Sequence, residues 1–191
     1  MQARRPDTIW LRFDLQGMAV ERPSADWMWE LAVHYQRMRR AYPDRELCVV
    51  FDIDGTILDV RYLVAHALLA YDREHATGHF HGLRAEDVTV HENRIDGFLE
   101  DLALPAPVRA DVLAWYANHL WSPEAVLAAN QPYQGVLGVI RWFQLQPATC
   151  TALNTGRPEG IRDPTLQSLN ALGKASRVRF RPDLLWMNPY S

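Results

Sequence analysis

The chain has 191 residues, of which 48% are hydrophobic, and its 20 Lys plus Arg against 23 Asp plus Glu leave a net charge of −3. That balance suits one globular domain, or a core domain carrying a smaller insertion, and it offers no basic surface for nucleic acid or anionic membrane. No apolar run approaches the ~20 residues that span a bilayer, and the start, MQARRPDTIWLRFD, lacks the apolar stretch of a secretory signal. A cytoplasmic protein without nucleic-acid or membrane partners is therefore expected, its oligomeric state left open. The two cysteines, Cys48 and Cys150, make neither a disulfide framework nor a metal set, and both lie in apolar runs where a small core side chain is expected.

Residues 8–20, TIWLRFDLQGMAV, alternate apolar and polar positions as a half-buried strand does. Ser24 is a plausible helix N-cap, with Asp26 in the first turn and Trp27, Met28, Leu31, Tyr35 and Met38 on one stripe. Arg37, Arg39 and Arg40 suit the end of that helix, and Pro43 closes it. The run Leu47–Phe51 is wholly apolar, which predicts a strand covered on both faces in the middle of a parallel sheet.

From Tyr62 to Gln131 the pattern is helical. VRYLVAHALLAYDREH reads as one helix, NRIDGFLEDL and VRADVLAWYANHL as two more, and Ser122-Pro123 as the start of a short fourth. A further helix over PYQGVLGVIRWFQLQ leads to a strand, TCTALNT, then a Gly-Arg-Pro turn, a helix ended by Gly173, and a short strand, RVRF. Strands and helices alternating in this way predict an α/β, Rossmann-like parallel sheet. The helical block is too long for a crossover and reads as an inserted cap. The expected domains are an N-terminal extension over 1–45, an α/β core over 46–61 and 132–191, and a helical cap over 62–131.

Ligands of open parallel sheets bind beyond the carboxyl ends of the strands. Two polar punctuations fall at such ends: Asp52-Ile-Asp54-Gly55-Thr56, and Asn154-Thr155-Gly156-Arg157. Two carboxylates so close need a cation, and Mg²⁺ prefers oxygen ligands; hydroxyl and N–H donors on the facing turn would suit a phosphate. Asp59 reads as a cap or hinge residue. His75, His79 and His81 read as a solvated loop, and His91, Glu92 and Asn93 either point toward substrate or start a helix. Arg157 either contacts phosphate or decorates its turn.

FDIDGTILD resembles the first motif of the haloacid dehalogenase superfamily, TALNTGRPE resembles its second, and PYQGVLGVIRWFQ resembles the helix before that second motif. The likeness runs from about Leu47 to Phe180, the cap matching in length and helicity alone. It implies a phosphatase-type, Mg²⁺-dependent hydrolase acting on a small phosphate monoester. Asp52 would be the nucleophile that forms an aspartyl-phosphate, and Asp54 the residue that protonates the leaving oxygen and then activates water. The Asp52 carboxylate and the Asp54 carbonyl would hold the metal, Thr155 and the Gly156 amide the phosphoryl group, and Thr56 would orient the Asp54 loop. The family's later motifs, a Lys and an acidic cluster, have no convincing counterpart. Lys174 comes too early, Asp183 is a lone acid, and the sheet is expected to be incomplete toward the C-terminus. A longer parent protein is the favoured explanation, cover by the N-terminal strand the other. A catalytically silent binding or assembly module of the same fold is the alternative function.

Overall fold

The structure is a computed structural model in which residues 24–190 are described, with side chains from residue 29 on. The predicted N-terminal strand, the capping role of Ser24, and the Asp26, Trp27 and Met28 side chains lie outside the described residues. The chain divides into two compact units between Arg45 and Glu46. In the first, helix α1 (Ser24–Ala41) carries Arg39 and Arg40 in its last turn. The Arg39 guanidinium donates to the carbonyls of Tyr42, Pro43 and Arg45, which satisfies acceptors at and just beyond the helix end.

The second unit is α/β. Strands β1 (Leu47–Phe51), β2 (Thr149–Pro158) and β3 (Leu185–Asn188) form a sheet of order β1-β2-β3, and both pairs are parallel. Between β1 and β2 lie α2 (Val60–His75), α3 (Ile95–Asp101), α4 (Ala106–His119), α5 (Pro123–Ala129) and α6 (Val136–Gln144); α7 (Arg162–Gly173) lies between β2 and β3. The α/β class and the parallel core sheet are as expected.

Local signals explain the helix limits. Asp59 caps α2, its carboxylate accepting from the Arg61 amide at 3.2 Å, and the helix ends on Ala76 in the left-handed region. Ser122 caps α5 by accepting from the Ala125 amide. Both roles match the sequence reading.

Two expectations are overturned. Among the described residues β1 stands at one end of the sheet rather than in its middle, and one of its faces is open, with Cys48 exposed and Val50 39% exposed. Its inward side chains meet the sheet's helical layer through Phe51, which contacts Phe143 edge-on at 6.0 Å. Cys48 is accordingly no core residue. The predicted RVRF strand is also absent. Arg177 takes φ +56°, which turns the chain, while Val178 and Phe180 plug the core without joining the ladder. The third strand is the later LWMN, with Leu185 and Met187 buried and Trp186 outward.

The second unit holds two hydrophobic clusters. One, built on Leu63, Leu68, Leu99 and Val112, lies within α2–α5. The other, built on Ile53, Ile140, Leu153 and Leu169, joins the sheet to α6 and α7. Trp121 packs against both, and α5 gives Ala125 and Ala129 to the first and Val126 to the second.

Candidate active site

The two acids follow the last residue of β1, and the register Phe51↔Leu153 puts Asp52 beside Asn154, just past the end of the β1–β2 pairing and within the longer β2. The turn after Asp52 is tightly made. Ile53 is fully buried, and its carbonyl accepts from the Ile57 and Leu58 amides at 2.9 and 2.8 Å. Gly55 adopts φ +76°, a conformation other residues resist, and its N–H reaches the Leu58 carbonyl at 2.9 Å. None of these bonds uses the Asp54 carbonyl.

Asp52 is exposed at the mouth of this turn. Its carboxyl is held above the usual range, chiefly by partial desolvation and then by the Asp54 charge; the Ile53 backbone, His91 and the Thr56 side chain pull the other way. Asp54 is in a different setting. Its carboxylate accepts two hydrogen bonds from Arg157, at 2.8 Å from Nε and 2.8 Å from Nη2, and its side chain is only 11% exposed.

Arg157 is the residue that the sequence did not place. It neither reaches outward toward a phosphate nor decorates a turn: its side chain is fully buried. Besides Asp54 it donates to Thr165 Oγ1 and Asn130 Oδ1, both at 3.3 Å, and its guanidinium stacks 5.0 Å from the Trp121 ring. Asn130 in turn donates to the Ser168 hydroxyl at 3.0 Å. A fork of N–H donors matched to a carboxylate is the strong, directional form of such a pair. The cation needed to tolerate two adjacent acids is therefore supplied in part by the chain itself.

Thr155 is buried, and its hydroxyl oxygen accepts from the Arg157 amide at 3.2 Å; Gly156 is exposed, with open space where a Cβ would stand. Thr56 is exposed beside Asp52. Asp52, Asp54, Thr155 and Gly156 thus share the carboxyl end of the β1–β2 pair. Lys174 and Asp183 do not join them. Lys174 follows α7, and Asp183 is ion-paired with Arg181 at 2.5 Å on the surface.

A third acid does come near. Glu92 opens the short 3-10 turn Glu92–Arg94 of the helical block and is buried. Burial raises its carboxyl most, and the charges of Asp54 and Asp52 raise it further. His91 Nδ1 lies 2.8 Å from its Oε2, an ion-pair distance without hydrogen-bond alignment. The other histidines stay away: His75 stacks on Tyr71 at 4.1 Å, while His79 and His81 line a hollow of about 260 Å³ within the helical block.

The Mg²⁺ donors can be tested against this geometry. Among the described residues no group of three His, Cys, Asp or Glu side chains is disposed to hold a metal. The exposed Asp52 carboxylate and the unclaimed Asp54 carbonyl still offer two hard oxygens. That fits Mg²⁺, which keeps several waters and commonly binds through one or two carboxylates and substrate phosphate.

No protein-family model and no curated protein matches the chain. Among solved structures it is similar to a HAD family hydrolase from Deinococcus radiodurans R1, crystallised with bound phosphate and sodium. The two are 17% identical with a TM-score of 0.41, over 72% of this chain and 57% of that one. At that identity and score the likeness identifies neither a residue nor a reaction. Among the described residues no helix is long and apolar enough to cross a membrane.

Proposed function

We propose that this chain is a phosphatase-type hydrolase of haloacid dehalogenase type that cleaves a small phosphate monoester through Asp52. The observation that carries the reading is the division between the two acids: Asp52 is exposed at the strand end, while Asp54 is fixed by Arg157.

An Asp52 carboxylate oxygen attacks phosphorus as the bond to the leaving oxygen breaks, giving an aspartyl-phosphate and an alcohol that takes up a proton. Water then attacks the acyl phosphate, releasing inorganic phosphate and restoring Asp52. Thr155 and the Gly156 amide hold the phosphoryl oxygens from the neighbouring strand end. Asp54 is the proton donor and later the base. Because both its oxygens accept from Arg157, it gives up one of those bonds whenever it carries the proton. The Asp52 carboxylate and Asp54 carbonyl would hold Mg²⁺, which when bound supplies positive charge beside the phosphoryl group. The helical block over 62–131, α2 to α5, acts as a cap, with Glu92 and His91 as its contribution nearest the acids.

The test is hydrolysis of para-nitrophenyl phosphate with Mg²⁺ or with EDTA, by the wild type and by Asp52→Asn. Mg²⁺-dependent turnover by the wild type alone is expected; equal rates from both proteins would overturn the reading. The Arg157 lock on Asp54 also favours a second one, a silent phosphate-binding module. Calorimetric binding of inorganic phosphate with no turnover would select it.

A further inference from the structure

β1 and β2 pair in parallel with Cys48 directly opposite Cys150. Registered residues on parallel neighbours project from the same face, and the strands lie ~4.8 Å apart, so the fold sets two thiols side by side that the sequence keeps far apart. The Cys150 thiol is close enough to that of Cys48 to help it keep its proton. Cys48 is exposed and Cys150 partly so, and Val50, next on the same face of β1, is also open.

We propose that Cys48 and Cys150 form a dithiol site for a soft, thiophilic metal or metalloid centre held through both sulfurs, the class to which cuprous copper and trivalent arsenic belong. Thiolate pairs select such soft centres over hard cations, so this site is separate in chemistry from the carboxylate site and independent of the phosphatase reading. A trivalent arsenic oxide reacts without any change of oxidation state: two S–H bonds are lost, two As–S bonds form, and the oxide oxygen leaves as water. Cuprous ion forms two Cu–S bonds and releases the thiol protons. Although Cys48 is exposed as a residue, desolvation of its sulfur, followed by the Cys150 thiol, pushes its pKa up to about 12. A thiol so protonated reacts slowly with one-point alkylating agents, whereas a centre that binds both sulfurs displaces both protons. Glu46 lies near Cys48, and Arg181, which feels both Cys150 and Glu46, is committed to Asp183.

The test titrates anaerobic, reduced protein with phenylarsine oxide in one arm and cuprous ion against a competing chelator in the other. Each arm uses the wild type, Cys48→Ser, Cys150→Ser and the urea-unfolded wild type. One equivalent of at least one probe is expected to remove both free thiols of the folded wild type. The wild type should hold that probe at least ~100-fold more tightly than either single variant, the gain of two linked contacts over one. The arsenical adduct should resist excess monothiol and yield to a dithiol, and the unfolded wild type should behave like the single variants. The arm that shows the gain names the centre. Equal retention by wild type and Cys48→Ser in both arms, or by folded and unfolded wild type, would overturn the proposal.

Discussion

Asp52 and Asp54 are chemically identical and two residues apart, yet their surroundings differ: one carboxyl is exposed and the other is held by Arg157. The folded state holds the Asp52 proton more tightly than the unfolded chain does, because its carboxyl is raised by desolvation and by Asp54. The native state therefore binds more protons there, and stability falls as pH rises through that raised value. Asp52→Asn removes the penalty. We expect it to abolish turnover while raising Tm at neutral pH by about 1 °C, a small gain because solvent screens this exposed carboxyl, as differential scanning calorimetry can measure. The gain should vanish at acid pH, where Asp52 is protonated in both states. Asp59 is the opposite case. Its bond from the Arg61 side chain lowers its carboxyl, so its contribution is present above the unfolded-state value and is lost as pH falls through the folded one. Asp59→Ala deletes the α2 cap and should cost about 1 kcal/mol in urea denaturation, with little change at low pH. For Asp54→Asn, loss of the proposed proton donor should lower kcat by about 10²- to 10⁴-fold. The loss should be larger for an alkyl phosphate, whose leaving oxygen needs the proton, than for para-nitrophenyl phosphate.

At the scale of elements, Arg157 connects more of the molecule than any acid does. From the end of β2 it reaches the turn after β1 through Asp54, α7 through Thr165, and the helical block through Asn130 and Trp121. Arg157→Gln would leave Asp54 as a mostly buried charge without its partner, and such a break costs roughly 3–5 kcal/mol. Chemical denaturation should show that loss, and the double variant with Asp54→Asn should recover part of it, because the stranded charge is then gone. This network was illegible in the sequence, since its central pair spans 103 positions. Local signals were legible: the Asp59 and Ser122 caps marked α2 and α5, and the Asp-x-Asp-Gly-Thr stretch marked a strand end. Alternation alone misled at RVRF, because burial of Val178 and Phe180 gives the same pattern whether or not the backbone joins a ladder. An all-apolar run likewise did not report that one face of β1 is open at Cys48 and Val50.

For the second unit as a whole, the question is whether two hydrophobic clusters make one cooperative body. Three features bind them. Trp121 packs against both, α5 contributes to both, and the Asn130–Ser168 and Asn130–Arg157 bonds cross from the helical block to the sheet side. The proposed site draws on that union, because Asn130 and Trp121 hold Arg157 from the helical block while Thr165 holds it from α7. Leu99 lies fully buried in the first cluster and Leu153 is buried in the second. Truncating either to Ala should cost about 2–5 kcal/mol. If the clusters unfold together, both variants shift a single denaturation transition of the second unit, with tryptophan fluorescence and far-UV circular dichroism coinciding. That is the expected outcome. If instead Leu99→Ala splits the transition and the helical block melts first, the block is a separately folding unit, and Arg157 would lose Asn130 and Trp121 before the sheet unfolds. Calorimetric and van't Hoff enthalpies on the same samples distinguish the two, since they agree for one cooperative body and diverge for two.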